Sequence, residues 1–213
     1  MSVSVLDKEV VSREVIRSIS ESRRSIRSFV PDSLPEEDVR EILRLTGLAP
    51  SASNVQTWRW AVVSSPVMKA RLSEVMTGNN VQTAANAPVN IVLYSDGQHV
   101  LDNLEQIMHP GMGAEEVAKR AAGMRERLSK MEPAQLADWA RVQTFIALGQ
   151  IVLVARGMGY DSATMGGFQE DGVKALLGLP DSARVTSVIA MGKRAEDGFS
   201  HHRYKVDDIS RWY

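Results

Sequence analysis

The sequence contains no cysteine. Disulfides, thiolate catalysis and cysteine-based metal sites are thereby excluded, and the absence fits a reducing cytosol. An excess of one charge is missing too: 25 basic residues stand against 26 acidic ones, a net charge of −1. Bulk electrostatics therefore offers nothing to a nucleic acid or a membrane surface. Long apolar runs are also lacking. The most apolar run, "FIALGQIVLVA" at 145–155, is too short to span a bilayer and is interrupted by Gln150. The N-terminal stretch becomes charged at Asp7 and has no core like that of a signal peptide. There is no internal repeat and no low-complexity linker. The expectation is one domain over residues 1–213, in the cytoplasm, long enough to bury a core without staples.

What is present reads as α+β. A first helix is expected over 8–20, with Val10, Val11, Val15, Ile16 and Ile19 on one side. A second begins near Pro35, where Glu36, Glu37 and Asp38 favour a helix start, and ends between Gly47 and Pro50. Strands are expected at 58–64, 89–95 and 184–192, the last two apolar enough to be covered on both faces. A short helix starts at Pro66. A helical region after 95 breaks at "HPGMG" (109–113), resumes over 114–131, and is followed by a long helix over 133–158. That long helix is apolar on nearly all sides, with Val142, Phe145, Ile146 and Leu153 on one face and Ala140, Ala147, Ile151 and Val154 on the other. Such a helix is buried on all sides, either centrally in one chain or against a second copy. The tail, "HHRYKVDDISRWY", adds a short strand or wraps a neighbour.

Four stretches carry polar chemistry. In "RRSIRSF" (23–29), Arg23, Ser25 and Arg27 alternate, so an extended backbone sets them on one face. Guanidinium forks match phosphate oxygens, so the face is either a phosphate cradle or a solvated basic patch. In "APSASNVQTW" (49–58), a polar turn lies between a helix and a strand, either as a ligand edge or as a capping turn. Trp58 and Trp60 are core candidates. "GMGYDSATMGGF" (157–168) follows a helix, so it is not the dinucleotide fingerprint. Its Gly166 and Gly167 bring backbone close to a flat ligand or merely end a helix. In "HHRY" (201–204), tandem histidines diverge in any regular element, and His99 and His109 are unsupported as further ligands, so no metal site is expected. Arg203 is another candidate phosphate contact.

Taken together and in this order, "SRRSIRSF", "APSASNVQTW", "GNNVQTAANAPVNIVLY", "GMGYDSATMGGF" and "HHRY" resemble the nitroreductase family of FMN-dependent oxidoreductases, from about Ile19 to the C-terminus. The resemblance implies an α+β sandwich with a central, mostly antiparallel sheet flanked by helices. It also implies an intertwined homodimer with FMN at the interface and a C-terminal segment extended over the partner. Arg23, Ser25 and Arg27 would hold the FMN phosphate and ribityl chain, Arg24 contributing through its backbone, with His201 and Arg203 closing the site. Pro50, Ser51 and Ser53 would come from the partner chain. Asn80 and Thr83 would stand near the pyrimidine edge, and Met165, Gly166 and Gly167 would lie against the isoalloxazine. NADH or NADPH would donate and an aromatic, nitroaromatic or quinone would accept in ping-pong order. No side chain is implied as a general acid or base, and no nucleic acid or membrane as a partner.

The same scaffold also accommodates a flavin-binding or flavin-processing protein without nitroreductase activity. A third reading is a helical dimerisation module without ligand.

Thr57 and Thr164 replace usual prolines, and Thr57 is expected to loosen the turn before Trp58. Gly166 replaces a common Glu whose role is mainly through its backbone. His201 replaces a usual Lys or Arg, which implies an FMN affinity that depends on pH. Met108, Met112, Met124 and Met131 fall in the region that shapes the acceptor pocket, where pliable thioethers suit varied ligands.

Overall fold

The computed structural model describes residues 13–213. Its helices in chain order are α1 (Arg13–Ser22), α2 (Glu36–Thr46), α3 (Pro66–Glu74), α4 (Asn80–Asn86), α5 (Gly97–Asp102), α6 (Leu104–Ile107), α7 (Ala114–Leu128), α8 (Pro133–Gly157), α9 (Glu170–Leu177) and α10 (Val206–Ile209). The strands are β1 (Trp58–Val63), β2 (Val89–Asp96), β3 (Asp161–Met165) and β4 (Ala183–Gly192). They form one antiparallel sheet in the order β1-β2-β4-β3. The part of the expected first helix before Arg13, with Val10 and Val11, lies outside the described residues.

The sheet is the middle layer of a sandwich, which explains why β2 and β4 are buried almost throughout. On β2 and β4 alternate residues point to opposite faces. Ile91, Leu93, Ile189 and Met191 face α2 and α8, whose Ile42, Ala147, Ile151 and Ala155 are fully buried against them. Val92, Val188 and Ala190 face the other way, into a core closed by Leu72 and Met76 at the α3 end, Ala84 of α4, Val173 of α9, and Ile26 and Phe29 of the arginine segment. A smaller core joins Val100, Leu104, Ala121, Leu128 and Leu136.

Two buried polar ties fix the frame. Tyr160, just after α8, donates its hydroxyl to the Asp38 carboxylate on α2. Asp161 is 3% exposed at the start of β3 and takes both forks of Arg194, at 2.6 and 2.7 Å, with Arg156 at 3.2 Å. Arg194 also donates to the Ser22 carbonyl and Arg156 to the Ser22 hydroxyl. The residue immediately before Arg23 is therefore clamped to the edge strand.

Within one chain the long helix is not buried on all sides. Its sheet side is buried, but Val142, Phe145, Ile146 and Leu153 are 41–63% exposed. On α1, Val15 and Ile16 are likewise exposed. The tail forms the short helix α10 rather than a strand, and its Phe199, Tyr204, Ile209 and Trp212 are 70–94% exposed. β3, α4 and α9 were not expected from sequence. β3 is short and half polar, and exists because β4 and the Ser25–Ser162 bridge flank it.

Candidate functional site

The arginine segment runs extended beside β3. Ser25 bridges Ser162 in parallel, and the Ile26 N–H donates to the Ser162 carbonyl at 3.1 Å. Ile26 and Phe29 are buried and anchor the segment, as their apolar character suggests. With the backbone held this way, Arg23 and Ser25 line a cavity of about 540 Å³. Its other walls are Ser162 and Thr164 of β3, Phe145, Gly149 and Leu153 of α8, and Arg203 of the tail.

The electrostatics of this cavity are one-sided. Burial, then Arg203, then Arg24 hold the Arg23 guanidinium below its ordinary pKa. Cations crowd one another here, and among the described residues no acidic side chain lines the cavity. An oxyanion bound between Arg23 and Arg203 relieves that repulsion and accepts charge-assisted hydrogen bonds, with the Ser25 hydroxyl as a further donor.

Not every expected residue joins them. Arg24 curls back onto the carbonyls of Glu21 and Arg23. Arg27 is exposed and outside the cavity lining. Its N–H and that of Ser28 donate to Glu196 at 2.8 and 3.1 Å. His201 is exposed and also outside the lining. Among the described residues no group of His, Asp or Glu could hold a metal ion.

The far end of β3 carries the glycines. Met165 is buried, with its carbonyl accepting from Ser187 at 3.2 Å. The Gly167 carbonyl accepts from the Thr77 N–H at 3.0 Å and from Asn80 Nδ2 at 3.2 Å. A Cβ on Gly167 would stand 2.6 Å from Asn80 Nδ2 and 2.7 Å from Thr77 Oγ1, so only glycine fits without movement. A Cβ on Gly166 would meet nothing within 4 Å. Thr83 is buried and donates to the Asn79 carbonyl. The structure thus joins Asn80 to Gly167 through a hydrogen bond. Between Ser162 and Gly166, four residues of extended chain separate the cationic end from the glycine end by ~13 Å.

The turn over 50–57 lies elsewhere. Ser51 and Ser53 line a different cavity, of about 900 Å³, with Met108, Met112 and Met124. Pro50 is exposed beside it, and Met131 instead packs in the small core. Ser53, Asn54 and Gln56 have φ of 52°, 59° and 43°, left-handed values that favour glycine. The turn is held there by Ala52 N–H to Gln143 at 3.1 Å, Asn54 to the Ile107 carbonyl at 2.7 Å, and Gln56 N–H to Ser51 Oγ at 3.0 Å. Thr57 does not loosen this turn. It is fully buried and its hydroxyl donates to the Ala140 carbonyl at 2.7 Å, tying the turn to α8. Within one chain, then, the 50–53 turn and the Arg23 cavity are separate.

The nitroreductase family model matches residues 20–193. A Thermus thermophilus protein named NADH dehydrogenase is 36% identical over 190 residues, covering 89% of this chain and 92% of its own. Bacillus subtilis YdgI, named as a candidate NAD(P)H nitroreductase, is 31% identical over 203 residues, covering 91% and 95%. Among solved structures, a protein of Exiguobacterium sibiricum in complex with FMN superposes with a TM-score of 0.84 at 26% identity, covering 97% of this chain and 99% of that one. The chain belongs to the nitroreductase family, a family of oxidoreductases. Its fold is the one the five segments imply.

Proposed function

We propose that this protein is an FMN-dependent oxidoreductase that takes hydride from NADH or NADPH and passes reducing equivalents to quinone, nitroaromatic or related acceptors. The observation that carries the reading is the convergence of Arg23, Ser25 and Arg203 on one carboxylate-free cavity beside β3, with the tightly fitted Gly167 backbone just past the strand's far end. These residues suit a ligand that is anionic at one end and flat at the other. Arg23, Arg203 and Ser25 would hold the FMN phosphate, with Arg24, Arg27 and His201 flanking it on the same two segments. Met165, Gly166, Gly167, Asn80 and Thr83 would meet the ring. The bound flavin supplies hydride chemistry. The chain would position it, with the phosphate at Arg23, Ser25 and Arg203 and the ring against the Gly166–Gly167 backbone. A quinone so reduced gains two electrons and two protons. Donor and acceptor would use the same flavin in turn, which gives ping-pong kinetics.

The reading includes a homodimer, intracellular and formed from single-domain chains. It is supported by the exposed apolar row Val142, Phe145, Ile146 and Leu153, which borders the Arg23 cavity, and by the exposed aromatic tail. A second copy laid on α8 would cover the row, close the cavity, and bring Pro50, Ser51 and Ser53 to the partner's flavin. The deciding experiment is reduction of the purified yellow protein by NADH or NADPH without oxygen, followed by reoxidation with a quinone or nitroaromatic. Reduction without reoxidation by either acceptor refutes the reductase; sedimentation as a monomer refutes the shared site.

A further inference from the structure

The cavity of about 900 Å³ shares Ser51 and Ser53 with the proposed flavin site, but holding FMN does not account for the rest of its lining. Ile107, Met108, Met112 and Met124 give it an adaptable apolar lining. On α7, Arg120, Gly123, Met124 and Arg127 recur at i, i+3, i+4 and i+7, so one helix face looks into it. Gly123 is mid-helix, where glycine costs about 1 kcal/mol relative to alanine. A Cβ there would meet nothing within 4 Å, so packing does not require the glycine. Its effect is to keep the floor open between two arginines.

The charges around this face are asymmetric. Arg120 is paired with Glu116 at 2.6 Å. Two other acids near this face are engaged: Glu105 with Arg125 at 3.0 Å and Glu126 with Lys130 at 2.7 Å. Arg127 has no ion-pair partner among the described residues. No acidic side chain among those described lines the cavity. In a chain of net charge −1, this is an apolar cavity with an uncompensated guanidinium at its wall.

We propose that this cavity selects acceptors that combine a flat apolar body with a carboxylate, Arg127 pairing with the carboxylate and the methionines covering the body. The proposal rests on the reductase reading above. An oxyanion could also reach Arg127 from the phosphates of the nicotinamide dinucleotide, and the experiment separates the two sources.

The test uses FMN-loaded protein, parent and Arg127→Met, with 4-nitrobenzoate and the neutral 4-nitrobenzyl alcohol as acceptors. Arg127 is exposed, so the variant keeps its fold and FMN content. The expected result is a fall of ~10-fold or more in kcat/KM for the acid with the alcohol unchanged, as befits loss of a hydrogen bond to a charged group. Equilibrium binding of benzoate should weaken in parallel, and that of benzyl alcohol should not. Gly123→Leu fills the floor and should lower kcat/KM for both acceptors. The proposal is overturned if Arg127→Met affects acid and alcohol alike or neither. It is equally overturned if only the KM for NADH or NADPH rises, or if Gly123→Leu changes nothing. Failure of the reductase reading itself is visible separately, as absent FMN or absent reduction by NADH and NADPH in the parent.

Discussion

Gly167→Ala tests the ring end of the site with one methyl group. The new Cβ would lie 2.6 Å from Asn80 Nδ2 and 2.7 Å from Thr77 Oγ1, well inside contact distance. Either the Gly167 backbone moves outward, toward the space assigned to the ring, or Asn80 swings away and its hydrogen bond to the Gly167 carbonyl is lost. Overpacking of this kind costs about 1–3 kcal/mol if the backbone moves, and the lost hydrogen bond costs about 1 kcal/mol if Asn80 does. A cost of about 1–3 kcal/mol lowers Tm by roughly 2–12 °C in a chain of this length. FMN affinity falls as well, because either Asn80 or the 166–167 backbone changes position. Gly166→Ala is the control: its Cβ meets nothing within 4 Å, so Tm should hold and FMN should stay bound. Thermal denaturation of each apoprotein and fluorescence titration with FMN measure both quantities. Parental FMN affinity in Gly167→Ala, or loss of FMN in Gly166→Ala at unchanged Tm, would refute the placement of the ring against Gly167.

Other consequences are equally direct. Arg23→Ala should raise the FMN dissociation constant about 10-fold or more, the worth of a charge-assisted hydrogen bond, and Arg27→Ala should raise it less, since Arg27 lies outside the cavity. Equal effects by titration calorimetry would contradict that ranking. Asp161→Ala strands two partly buried guanidinium groups and should cost about 3–5 kcal/mol by urea denaturation, because the lost carboxylate is 2% exposed; a cost under 1 kcal/mol would show that the clamp on Ser22 contributes little. The hydrogen bond to Asp38, together with burial, pushes the Tyr160 hydroxyl from 10.0 up to about 12. The protonated phenol therefore stabilises the fold fully below pH 10 and loses that contribution as pH rises through about 12. Tyr160→Phe should remove this part of the alkaline loss in urea midpoints, and an identical pH slope in the variant would count against it.

The parts of the fold legible in sequence are those whose pattern is set by burial alone. β2 and β4 are largely apolar because both sheet faces are covered, and α8 is long, opened by Pro133 and rich in core residues. β3 was illegible because "DSATM" has no alternation of its own; pairing with β4 makes it a strand. α4, "NVQTAAN", is short and lacks a side-chain cap, so nothing local announces it. Alternation grouped Arg23, Ser25 and Arg27; the structure brings the first two to one cavity, while the Arg27 N–H meets Glu196, a contact 169 residues away that no local pattern announces. The same distance problem hid Thr77 beside Gly167 and the Asp161 clamp. The Arg120–Gly123–Met124–Arg127 face emerges only from the fold, which shows that it borders a cavity.

The central claim is that the Arg23–Arg203 cavity and the Gly167 backbone together hold FMN. It is tested most directly by adding FMN to flavin-free protein, parent and Arg23→Ala/Arg203→Ala double variant, and reading bound flavin by absorbance after gel filtration. The parent should be yellow, with FMN in equal amount to the chain, and the double variant folded and colourless. A parent that binds no FMN, or a double variant as yellow as the parent, would contradict it.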